Sequence, residues 1–117
     1  MLPSVLCLHL ERYTHTGGRV RKTKVRLLLP EVIQVPKFIN DATVEIEYQP
    51  YRITSGIIHL GSSVLHGHYV AFAIRPEGIW LMDDNRKGQW IPQFTVQQLS
   101  NIYMLWATPL TTPSGGP

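Results

Sequence analysis

Cysteine is nearly absent. The chain holds one, Cys7, among 117 residues, so it can form neither an internal disulfide nor a cysteine-based zinc cage. A lone thiol fits a reducing intracellular compartment, cytoplasm or nucleus alike. Long apolar runs are missing too: none approaches the ~18 residues that a membrane-spanning helix needs. The first residues lack the basic-then-apolar order of a secretory signal. Charge is sparse, at 16 % of residues, with a formal net charge of +3. Most of the excess lies in Arg19, Arg21, Lys22, Lys24 and Arg26. Basic clusters can neutralise phosphates, but no aromatic residue is interleaved there to stack bases. The stretch therefore reads as a solvated hairpin tip, and neither nucleic acid nor membrane is an expected partner.

What is present is an ordinary globular composition, 44 % hydrophobic, in a length suited to one small domain. Its patterning is mostly that of strands. Over residues 4–13, Leu6, Leu8 and Leu10 alternate with Val5, Cys7, His9 and Glu11. Cys7 stands between two leucines, with no adjacent cation to lower its pKa, and reads as a core thiol. Residues 25–29 form a strand stopped by Pro30, and 31–39, around Pro36, read as irregular apolar packing. Residues 44–48 alternate as a half-exposed strand, Pro50 interrupts it, and 51–60 form a near-continuous apolar strand suited to a sheet centre. Val96 and Leu99 stand at helical spacing within 95–101, and 101–108 make a last strand. Residues 109–117 have a linker composition and are expected to be disordered. The expected class is α+β, mostly antiparallel β.

Three of the five histidines fall in residues 57–84, the stretch around which the rest is arranged. A histidine serves as a general base near neutral pH, and better when a carboxylate fixes its tautomer. Pro76 and Gly78 suit a tight turn between residues 70–75 and 79–83. A two-residue loop at Pro76-Glu77 places Asp83 opposite Val70 and on the face of His68, one diagonal step away, at roughly 7–8 Å. A three-residue loop with a glycine bulge shifts the register by one and gives that place to Asp84. The residues alone leave both open. They also leave open a metal site, since His66 and His68 share a strand face that His59, Asp83 and Asp84 could join. For His59 the plainer reading is a strand-end histidine satisfying a nearby backbone group. The loop 61–67, with glycine at both ends, has the make-up of a segment that covers a site.

The same residues carry a resemblance. His59-x-Gly61, Gly67-His68-Tyr69 and Trp80-x-x-Asp83-Asp84 resemble the histidine box of the ubiquitin-specific proteases, which are papain-like cysteine proteases. Leu6-Cys7-Leu8-His9-Leu10-Glu11-Arg12-Tyr13 is similar to that family's L-x-L-H-L-K-R-F strand, and Lys22 followed by Leu29-Pro30 to its K…FP block. Tyr51 to His59 resembles Y-x-L-x-A-V-I-x-H, and Ile102 to Trp106 the closing A-Y-L-L-F-Y. The five blocks stand in the family's order over about residues 2–107.

The resemblance implies the β-sheet, palm-like half of a papain-like fold over residues 1–108, and deubiquitination as the activity. It implies that His68 is the general base, that Asp83 orients it with Asp84 as possible support, and that Tyr13, Gly67 and Tyr69 line a channel for ubiquitin's C-terminal tail. It implies no cofactor and no metal. The family's nucleophile and its oxyanion-stabilising Asn lie in an upstream box that these residues do not contain. The expected partners are ubiquitin, its conjugates, and a Cys-bearing helical lobe in the same, longer chain, without which this chain is inactive. As half of a larger fold, it should expose one unusually apolar face. The alternative is an inactive ubiquitin-binding or interaction module.

Overall fold

The computed structural model describes residues 2–23, 27–40, 42–61, 67–83 and 87–110, with the backbone alone at 14–16. As expected, it is mostly antiparallel sheet, with one short helix. Nine strands are described: β1 (Leu6–His9), β2 (Tyr13–Thr16), β3 (Arg19–Lys22), β4 (Val32–Asn40), β5 (Glu45–Leu60), β6 (His68–Arg75), β7 (Gly78–Met82), β8 (Gln89–Ile91) and β9 (Ile102–Pro109). Helix α1 covers Val96–Leu99. The main sheet runs β1-β9-β5-β6-β7-β8, with β4 also on β5, and β2 and β3 form a separate hairpin. No described helix is long and apolar enough to cross a membrane.

The 16-residue β5 is the spine. It pairs with β4 along its first half, with β6 along its second, and with β9 on its other side. Both prolines expected to break this region lie inside strands: Pro36 in β4, opposite Tyr48, and Pro50 in β5, opposite Gln34. β4 has β5 as its only described neighbour, and an edge strand tolerates proline because one row of its N–H groups needs no partner. The strand expected before Pro30 is absent from described residues 27–29, and 24–26 lie outside the described set. Helix α1 forms where its spacing placed it. Thr95 caps it by accepting from Gln98 N–H at 3.1 Å, while the Gln98 side chain accepts from Thr95 N–H at 2.8 Å; these two bonds form a reciprocal capping box. At the other terminus the last strand includes Pro109, and Leu110 N–H donates to Pro50 O at 2.9 Å. Residues 111–117 lie outside the described set.

One face of the sheet carries the core: Tyr51, Ile53, Ile58, Val70, Phe72, Ile79, Ile102, Leu105 and Ala107. Leu27, Leu29, Phe94 and Leu99 pack over it. Phe72 is 1 % exposed and meets the Phe94 ring edge-on at 4.9 Å. It lies over Gly56, where a Cβ would overlap the phenyl ring, so glycine is required there by close approach.

The other face is largely unburied among the described residues, except at the His59 end. Directly opposed residues share a face, and the pairings Cys7–Trp106–Ser55–Ala73–Trp80–Trp90 run across six strands. The next row on that face is His9–Met104–Ile57–Ala71–Met82. Not one of these eleven residues is buried, although most are apolar. Cys7, expected in the core, is exposed because Leu6 and Leu8 take the core face and alternation turns the thiol outward.

Phe72→Ala should lower the free energy of unfolding by about 3–5 kcal/mol, since the cavity opens under a close-packed ring pair. Urea denaturation measures this. A loss below about 1 kcal/mol would mean that the sheet face is not the core.

Candidate functional site

β6 and β7 pair with Arg75 opposite Gly78 and Ala71 opposite Met82, so the loop is the two residues Pro76-Glu77. Gly78 has φ 143°, a conformation that side chains disfavour. Continued by one pair, this register sets Asp83 against Val70. His68 opens β6 opposite Leu60, on the face of Val70 and Phe72. The two side chains meet there, and His68 Nε2–H donates to Asp83 Oδ1. Their side chains are 43 % and 27 % exposed, so the pair is reachable from solvent. A cavity of about 180 Å³ lies beside it, lined by Ile58, Leu60, Val70, Leu81, Asp83 and Lys87 among others. Asp84 and His66 lie outside the described residues.

The bond fixes the chemistry of the ring. With Nε2–H given to a carboxylate, Nδ1 carries the lone pair and is the nitrogen that can take a proton. The carboxylate then stabilises the imidazolium that forms.

Tyr13, Gly67 and Tyr69 gather around a different residue. Alternation sends Tyr69 to the face opposite His68, where it pairs with His59. His59 is 1 % exposed. Its ring stacks on Tyr69 with centroids 4.5 Å apart, and the Tyr13 hydroxyl lies 2.8 Å from Nδ1. Tyr103 stands nearby, at 6.1 Å from the His59 ring. A Cβ at Gly67 would overlap His59 Nε2 and come within 2.8 Å of Leu60 O, so position 67 admits no side chain. The expected site residues thus form two groups, on opposite faces at the same end of β5 and β6. His59 bonds a side chain, contrary to the backbone role that its strand-end position suggested.

Three further residues hold this end together. Lys22 Nζ donates to His59 O at 2.6 Å, to Gly61 O at 2.7 Å and to Asn101 Oδ1 at 2.7 Å. Its three donors tie the β2–β3 hairpin, the end of β5 and the start of β9. Arg12, 6 % exposed, donates from Nε to Ile102 O at 2.8 Å and from a terminal nitrogen to Leu99 O at 3.2 Å. Burial pushes its guanidinium pKa down. Asn101, also 6 % exposed, accepts from Lys22 and donates to Gln97 O at 2.7 Å. Spacing could not reveal these roles, because the partners are up to 90 positions away.

Cys7 is not placed to serve His68. It lies three strands from β6, roughly 14 Å at the usual interstrand spacing, and on the uncovered face. Among the described residues, no three metal-ligating side chains converge.

Comparison with known proteins shows the family and the fold. A family model described as ubiquitin carboxyl-terminal hydrolase matches residues 1–106. Ubiquitin carboxyl-terminal hydrolase 10 of Saccharomyces cerevisiae is 28 % identical over 96 % of this chain and 14 % of its own length. Ubiquitin carboxyl-terminal hydrolase 4 of Arabidopsis thaliana is 30 % identical over 81 % of this chain and 25 % of its own. Among solved structures, the Ubp8/Sgf11/Sus1/Sgf73 DUB module of SAGA, bound to ubiquitin aldehyde, contains a similar chain. That chain superposes with a TM-score of 0.75 at 25 % identity, covering 95 % of this chain and 25 % of that one. The chain therefore spans a quarter or less of the length of these relatives.

Burial, and after it the charge of Lys22, pushes the His59 pKa below its ordinary value. The unfolded chain takes up the proton first, near pH 6.5. This contribution to stability is therefore fully present above about pH 6.5 and is lost as the pH falls through the lower folded value. Urea midpoints followed from pH 7.5 downward should fall across that window, and His59→Phe should flatten part of the fall. An identical slope in the two proteins would contradict this.

Proposed function

The chain belongs to the ubiquitin carboxyl-terminal hydrolase family, and we propose that it supplies the His/Asp half of a cysteine-type deubiquitinating site. The observation that carries this reading is the His68–Asp83 pair, with Nε2 bonded to the carboxylate and Nδ1 as the base nitrogen. The thiol comes from a helical lobe elsewhere in a longer chain. The small share of its relatives that the chain spans supports that arrangement.

In this mechanism His68 Nδ1 takes the proton of the cysteine thiol, and Asp83 holds the resulting imidazolium in place. The thiolate attacks the carbonyl carbon of ubiquitin's terminal glycine. The tetrahedral intermediate collapses with cleavage of the C–N bond, and His68 gives its proton to the leaving amine. Ubiquitin is now held as a thioester. His68 then takes a proton from water, which attacks the same carbon and releases ubiquitin and the thiol. Tyr13, Gly67 and Tyr69 border the channel that delivers the tail, and the bare backbone at Gly67 favours a Gly-Gly end. The relatives' names and the ubiquitin-bound module support ubiquitin and its conjugates as substrates.

Kinetics of the full-length protein test the roles. His68→Ala should lower kcat on a ubiquitin conjugate by roughly 10²–10⁴-fold or more, with KM little changed. Asp83→Asn should lower it less and leave ubiquitin binding intact. Unchanged kcat in His68→Ala would sink the reading. A full-length protein that binds ubiquitin but cleaves nothing would make the chain a binding module instead.

A further inference from the structure

Tyr13 comes from one stretch of chain and Gly67 and Tyr69 from another, and all three touch the one buried ring of His59. Its Nδ1 meets the Tyr13 hydroxyl at 2.8 Å. Its face lies on Tyr69, with the two planes 28° apart. Its Nε2 fills the space where a side chain at position 67 would begin. That Nε2 has no hydrogen-bond partner among the described residues. A buried ring at the meeting point of three proposed channel residues calls for a function.

We propose that His59 is a positioning residue that sets the bore of the substrate-tail channel, an inference that rests on the deubiquitinating function proposed above. Nδ1 holds the Tyr13 hydroxyl and the ring face holds Tyr69, so one side chain fixes the distance between the two tyrosines. The Nε2 edge keeps position 67 bare. If Tyr13 swings away, Nδ1 loses its partner in a buried site, which opposes widening. Lys22 holds the same strand end from behind through the His59 carbonyl. His59 takes no part in proton transfer, because His68 points to the opposite face of the sheet.

The test is titration of the full-length protein with labelled ubiquitin and with a ubiquitin whose two terminal glycines are replaced by alanine. The native protein should prefer the glycine form by about tenfold or more. His59→Phe, which keeps the stacked ring, should cut that preference to about threefold or less, while affinity for unaltered ubiquitin falls less than the preference does. His59→Asn, with a polar atom near the Nδ1 position, should restore part of it. Tyr13→Phe removes only the hydroxyl and should also lose part of it; this variant decides the matter if His59→Phe does not fold. An undiminished preference in folded His59→Phe, or failing that in Tyr13→Phe, overturns the inference and leaves the proposed function standing. Equal binding of both forms by the native protein does the same. Binding of neither overturns both.

Discussion

A strand pair slipped by one residue turns every side chain to the other face, and the His68–Asp83 pair rests on the register of β6 against β7. The two-residue loop at Pro76-Glu77 sets that register. One residue more in the loop would send Asp83 to the face of Tyr69 and set position 84 in its place. β6 is in turn fixed against β5, where Phe72 lies over Gly56 and Gly67 against His59. Two positions without side chains thus hold the strand where the chemistry needs it. The His68–Asp83 pair then emerges on the core face, and the aromatic cluster around His59 on the other.

Long-range polar contacts close the same end of the sheet. Lys22 and Arg12 each reach several backbone carbonyls from distant segments. A charged hydrogen bond to a carbonyl is worth more than a neutral one, and removing the donor leaves the acceptors unmatched. These cations join the β2–β3 hairpin, the loop after β5 and the α1–β9 junction around the functional end. The opposite end of the β6–β7 hairpin is different. There a groove of about 740 Å³ is lined mainly by apolar side chains such as Leu29, Ile53, Ile74 and Phe94, and none of the proposed site residues lines it. That groove and the proposed chemistry are therefore separate.

Much of this was legible before the fold was seen. Alternation marked β1 and the start of β5, the Pro-Glu-Gly turn predicted the β6–β7 hairpin, and Val96 with Leu99 marked the helix, whereas β4 read as irregular packing. Ordered motifs singled out His68 and Asp83, and only the observed loop length decided between Asp83 and its neighbour. The prolines misled for a local reason: Pro36 and Pro50 read as breaks, yet both lie in strands, and for Pro36 the edge position of β4 makes the missing donor harmless. Cys7 misled because alternation tells which residues share a face, not which face is covered. His59, Lys22, Arg12 and Asn101 were illegible in their roles, since their partners are brought together only by the sheet.

The most direct test of the central claim is the intact mass of the full-length protein after reaction with ubiquitin that ends in a thiol-reactive electrophile. The proposed site predicts a single added ubiquitin, attached to a cysteine outside residues 1–117, and a much slower reaction in His68→Ala. No adduct, or an adduct on Cys7, would contradict it.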